Sequence, residues 1–157
     1  MERKRQKGFT LLELMIAIVI LGVLTSLIAG QFFGSLKKGR DARRKGDLEQ
    51  TQRALEAYYE DNKRYPSAIT SGSSLCHPSG CSTKNYMQKV PTDLSSGSGR
   101  SYKYCVDTNG TQYQLYASLE NTDDTKAIIT PAPMAGCTMT CYSSSCNYGI
   151  ASSNTTP

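Results

Sequence analysis

The sequence predicts an α+β fold, one long N-terminal helix laid against a small antiparallel sheet, and three observations carry that expectation. An apolar run, FTLLELMIAIVILGVLTSLIA, extends from Phe9 to Ala29. Helix-spaced apolar and aromatic residues then continue to about Lys63, where Pro66 moves Tyr65 out of the α region and bounds the helix. Further on, Tyr102, Tyr104 and Val106 alternate, as do Tyr113, Leu115, Ala117 and Leu119. Asn109-Gly110 lies between them, and Asn-Gly between alternating runs is a strong hairpin signal.

The apolar run has the length of a membrane span, since about 20 helical residues cross a hydrocarbon core of about 30 Å. Arg3, Lys4, Arg5 and Lys7 precede it, so the positive-inside rule orients the chain N-in, C-out. Glu13 interrupts the run, and an ionisable group within a span costs at least ~2.5–3.5 kcal/mol. Either it reaches back to water at the cytoplasmic interface, or it has a partner. A removable secretory signal fits poorly, because cuts after Ala29 or Gly30 place Leu27 or Ile28 where signal peptidase needs a small residue. A plain single-pass anchor leaves Gly8 and Glu13 without a purpose.

Past the span, Gly30 and Gly34 have the small-xxx-small spacing that lets helices approach closely. Leu48, Thr51, Leu55 and Tyr58/Tyr59 recur at three- and four-residue steps, giving the helix an inward face. Leu48, Leu55 and Tyr59 are expected to cover the sheet. Asp41–Lys45, Glu49–Arg53 and Glu60–Arg64 have the acid-first order of i,i+4 ion pairs. Such a helix would run ~80 Å at 1.5 Å per residue. A domain of about 120 residues cannot bury it, so its first half must be covered by lipid or by other helices.

The chain carries a formal +5, of which the four leading cations less Glu2 supply +3, so the remainder is only +2. That is too mild for a nucleic-acid groove in general. A binding module, for DNA or as an adhesin, presenting Lys84, Lys89, Arg100 and Lys103 is one alternative role. A tethered enzyme is another, but His77 is the only histidine and no carboxylate pair stands out.

From Pro66 to Ser101 the composition turns to Ser, Gly, Thr and Asn, with a short helical turn expected at Lys84 to Lys89. Ala127-Ile128-Ile129 reads as a third strand, stopped by Pro131 and Pro133, and the last ten residues are expected to be mobile. The six cysteines, Cys76, Cys81, Cys105, Cys137, Cys141 and Cys146, all lie beyond the span and read as disulfides. Pro78-Ser79-Gly80 is a turn that can bring Cys76 to Cys81. Cys105, in a strand, is expected to hold the C-terminal tail through Cys137, Cys141 or Cys146. A zinc site from those last three with Cys81 or His77 is the rival, with irregular spacing. Asn121-Thr122-Asp123-Asp124 is oxygen-rich, so Asp123 and Asp124 are candidate calcium ligands, against the plainer reading of a solvated turn. No other cofactor is expected.

Lys7-Gly8-Phe9-Thr10-Leu11-Leu12-Glu13 and the apolar residues after it resemble the class III signal of type IV pilins and type II secretion pseudopilins. The helix end at Asn62-Lys63-Arg64-Tyr65-Pro66 is similar too, as is Val90-Pro91-Thr92-Asp93 ahead of the sheet. The resemblance implies a pilin fold: residues 1–8 a cleaved leader, 9–36 a transmembrane and assembly helix, 37–157 an extracytoplasmic domain. It implies a filament subunit of the cytoplasmic membrane, cut by a prepilin peptidase after Gly8 and methylated on Phe9. Glu13 would then neutralise the Phe9 amine of an adjacent subunit, a pair within one subunit being the competing geometry. Identical or homologous pilins and an inner-membrane assembly platform are the implied partners. Major pseudopilins are also similar in placing calcium near the position of Asp123 and Asp124. One departure argues against a type II secretion role in particular: Asp93-Leu94-Ser95-Ser96 replaces the Asp-Pro-Trp-Gly of many pseudopilins.

Overall fold

A computed structural model describes residues 8–121, 123–124, 126, 133–138, 140–141 and 144–153. The chain divides into two compact units, with the boundary in sequence between Lys37 and Lys38. One helix, α1, runs from Leu11 to Asn62, 52 residues, and so belongs to both. It ends where the sequence predicts. Lys63 has a positive φ of 55°, and its N–H donates to the Tyr59 carbonyl at 2.8 Å, closing the last turn.

The second unit holds the strands β1 (Leu75–His77), β2 (Gly80–Met87), β3 (Lys103–Val106), β4 (Tyr113–Ala117), β5 (Thr140–Cys141), β6 (Ser144–Ser145) and β7 (Tyr148–Ala151). The main sheet has the order β3-β4-β7, antiparallel throughout, with Cys105 opposite Gln114 and Leu115 opposite Ile150. β1 and β2 form one two-stranded ribbon, β5 and β6 another.

The hairpin between β3 and β4 is the expected one. Asp107 accepts the N–H groups of Asn109, Thr111 and Gln112. Gly110 takes φ +70° and its carbonyl receives the Tyr65 N–H at 2.7 Å, so the turn also anchors the chain leaving α1. A Cβ at Gly110 would meet Arg64 Cβ and the Tyr65 carbonyl at 3.2 Å, which restricts the position to glycine.

Every residue of β4 is buried, because both of its faces are covered. Tyr113, Leu115 and Ala117 pack with Leu48, Ala54, Leu55 and Tyr58 of α1 in the main core, and Tyr59 packs at its edge. On the other face, Tyr116 lies with Cys105, Cys141 and Cys146. Disulfides Cys76–Cys81, Cys105–Cys137 and Cys141–Cys146 pair all six cysteines, so the zinc ligand set does not form.

The tyrosines explain how a polar sequence makes this core. The rings of four of them pack in or against the core while their hydroxyls donate outward: Tyr102 to Asp47 at 2.7 Å, Tyr113 and Tyr65 to Glu56 at 2.9 Å, Tyr104 to the Pro66 carbonyl at 2.7 Å. Acids on α1 thus accept from Tyr113 of β4 and from Tyr65 and Tyr102 outside the strands.

Three expectations need correction. Lys84 to Met87 is strand, not helical turn; Ser82, Thr83 and Asn85 are weak helix formers, and the Cys76–Cys81 bridge closes the ribbon that carries them. The third strand of the described sheet is β7, from within the last ten residues, because Tyr148 and Ile150 find apolar cover in the main core. The expected strand at Ala127–Ile129 lies outside the described residues. Of the i,i+4 pairs, Asp41 instead binds Arg44, Lys45 binds Asp124, and Glu60 meets Lys63 at 3.8 Å.

Candidate assembly site

The apolar end of α1 begins with a capping box. Thr10 precedes the first helical residue, and its Oγ1 accepts the Glu13 N–H at 3.2 Å. Glu13 Oε2 in turn receives the Thr10 N–H at 3.4 Å and the Thr10 hydroxyl at 3.3 Å. These reciprocal contacts satisfy donors that a helix start leaves open. The signal, Thr-x-x-Glu ahead of an apolar run, is legible in the sequence, and it gives Glu13 a local partner besides water or an amine. Gly8 and Phe9 sit just before this box, both exposed.

The eighteen residues Leu11–Ile28 are long and apolar enough to cross a membrane, and none is buried within the chain. Large side chains stay uncovered from Phe9, 86 % exposed, to Leu36, 43 % exposed. Leu21, Leu24, Ile28, Phe32 and Phe33 border a shallow apolar groove with Thr25. Uncovered apolar surface on this scale marks contact with lipid or with other protein.

In the second unit, α1 is fixed by a buried ionic hub. Arg44 is 1 % exposed, with Nε on Asp93 Oδ2 at 2.7 Å, Nη1 on Asp41 Oδ1 at 2.7 Å and Nη2 on Glu120 Oε1 at 2.9 Å. Nη2 also reaches Ser95 Oγ at 3.1 Å. Asp41 accepts the N–H groups of Glu120 and Asn121, and Arg40 Nε donates to Glu120 at 2.9 Å. Hydrogen bonds from Arg40 and Arg44 hold the Glu120 carboxyl down to about 2 against the opposing effect of burial. Burial disfavours the charge on Arg44, but its bonds to Asp93, Glu120 and Asp41 outweigh that and keep it above its ordinary value. No local sequence signal announces this hub, because its members are brought together from positions 41–44, 93–95 and 120.

The other expected site residues separate. Asp124 is engaged by Lys45 at 2.7 Å, and Asp123 is exposed. Of the four cations assigned to DNA, Lys84 pairs with Asp61 at 2.6 Å and Arg100 donates to the Ser118 carbonyl at 3.3 Å, which leaves Lys89 and Lys103. His77 is half-buried, its Nδ1 accepting the Ser79 N–H.

An exposed apolar helix opening on a Gly-Phe-Thr-x-x-Glu start, carried by an α+β domain, defines a filament subunit of the pilin and pseudopilin class. Residues 3–29 match the prokaryotic N-terminal methylation motif, and residues 31–129 match type II secretion system protein G. The chain belongs to the type II secretion system protein G family. A type II secretion system core protein G from Pseudomonas aeruginosa is 31% identical over 124 residues, covering 74% of this chain and 85% of that protein. Its counterpart from Aeromonas hydrophila is 33% identical over 100 residues, 59% of this chain and 70% of that protein. The Klebsiella pneumoniae protein of the same name is 36% identical over 97 residues, 57% and 69% respectively. No solved structure matches the chain. The family match overturns the argument drawn from Leu94-Ser95-Ser96: Asp93 and Ser95 still dock on Arg44, so the anchoring contacts of this loop do not need the Pro-Trp-Gly residues.

Proposed function

We infer that the chain is a structural, non-enzymatic subunit of a type II secretion pseudopilus, trimmed between Gly8 and Phe9 by a prepilin peptidase and methylated on the new amine. The observation that carries this is the combination of an uncovered apolar helix with a second unit whose own core is complete. It enters the cytoplasmic membrane N-in, C-out and passes, through an inner-membrane assembly platform, into an extracytoplasmic filament of homologous subunits. In the filament Glu13 exchanges its Thr10 contacts for the Phe9 amine of a neighbour. A buried charge pair of this kind adds little net stability but penalises wrong registers.

Glu13→Gln tests the assignment, because an amide retains the capping acceptors and cannot neutralise an amine. Filament yield per processed, membrane-inserted subunit should fall at least about a hundredfold, since an unpaired buried charge costs ~3–5 kcal/mol. Processing, read from intact mass, should be unchanged. Yield equal to that of the natural chain would remove the intersubunit pair, and an unprocessed chain from cells with active peptidase would remove the cleavage site.

A further inference from the structure

The acidic loop after β4 carries the candidate calcium ligands Asp123 and Asp124, and the carboxylates described around it are engaged by side-chain cations instead. Asp124 Oδ2 lies 2.7 Å from Lys45 Nζ while Oδ1 accepts the Lys126 N–H at 2.9 Å. Glu120 is held by Arg40 and Arg44. Asp41 and Asp93, 2 % and 3 % exposed, face the Arg44 guanidinium. Among the described residues no group of three or more His, Cys, Asp or Glu side chains is arranged to hold a metal ion. The space between Asp41, Asp93 and Glu120 is filled by the Arg44 guanidinium, a side-chain cation.

We propose that Arg44, supported by Lys45 and Arg40, is the built-in cation of this domain, gathering the carboxylates of α1, the Asp93 loop and the β4 exit so that the fold needs no divalent metal. A guanidinium is suited to this because it is always charged, and its fixed fork of donors meets several carboxylates at once. Unlike a metal ion, it is covalently part of α1 and cannot be lost to a chelator. Lys45 does the same one residue further on, for Asp124. This property concerns folding and holds whether or not the chain enters a filament.

Thermal unfolding of the full chain in detergent, followed by circular dichroism, tests it with calcium ion as the probe. The midpoint should agree within about 1 °C between EDTA and millimolar calcium; a site filled a hundredfold above its Kd would move it roughly 5–10 °C, and a shift of that size overturns the proposal. Arg44→Ser leaves the carboxylates facing one another, so its midpoint should drop and calcium alone should raise it again. An Arg44→Ser chain that melts like the natural one, or whose lowered midpoint calcium leaves unchanged, would overturn the proposal; where that chain does not fold at all, Arg44→Lys decides. Arg44→Lys keeps the charge without the fork and should melt in between, indifferent to calcium. Recovery of Arg44→Lys stability by calcium would also overturn it.

Discussion

Glu120 shows how a single side chain ties this domain to pH. Its carboxyl is held down to about 2 by Arg40 and Arg44, below its ordinary 4.5. A depressed folded-state value means that the stabilisation is fully present above pH about 4.5 and is lost as pH falls toward about 2. The denaturant midpoint should therefore decline steeply across that window, and Glu120→Gln should flatten the decline while lowering stability near neutrality. A variant with an unchanged acid profile would show that other carboxylates set it. Leu55, a residue of α1 that is 0 % exposed in the core it shares with β4, has no such dependence. Leu55→Ala should cost ~2–5 kcal/mol at any pH, through lost transfer energy and the cavity left behind. Equilibrium urea unfolding measures it.

Among the elements, the β3–β4 hairpin and the C-terminal segment do unequal work. Gly110 fixes the hairpin against the chain leaving α1, so Gly110→Ala should destabilise by at least ~1–2 kcal/mol from the left-handed backbone alone, with the 3.2 Å contacts adding to it. The C-terminal segment covers the far face of β4 and supplies β7. Cys105–Cys137 links it to β3 across a sequence separation of 32. Replacing both cysteines by serine should cost ~2–5 kcal/mol and raise hydrogen exchange in β7 before it does so in α1. Simultaneous loss of protection in both would show that the segment and the helix unfold as one.

For the whole molecule, association and folding belong to different parts of one helix. Removing residues 1–36 discards the exposed apolar side chains and leaves the core of Leu48, Leu55, Tyr113 and Leu115 untouched. The remaining chain should be folded and monomeric by sedimentation, and unable to form filaments. Filaments from it, as abundant as those of the full chain, would place the main association surface in the second unit.

The sequence by itself determined whatever depends on local order: the span, the helix stop at Tyr65-Pro66, the Asn109-Gly110 hairpin and the Cys76–Cys81 bridge. Each is set by neighbours within a few residues, through hydropathy, proline geometry or turn chemistry. The capping box at Thr10 and Glu13 was equally legible, although a charge inside an apolar run points first to a distant partner and hides the near one. Tertiary structure decided the rest. The strand at Gly80–Met87 has little local propensity and exists because a disulfide closes its ribbon. β7 has no turn signal of its own and is ordered because β4 needed a second neighbour. The Arg44 hub joins residues 49 and 76 positions apart in the chain, and a guanidinium on a charged helix face looks like solvated surface until Asp93 and Glu120 close over it. Only the folded chain brings those carboxylates near enough to make burying the charge favourable.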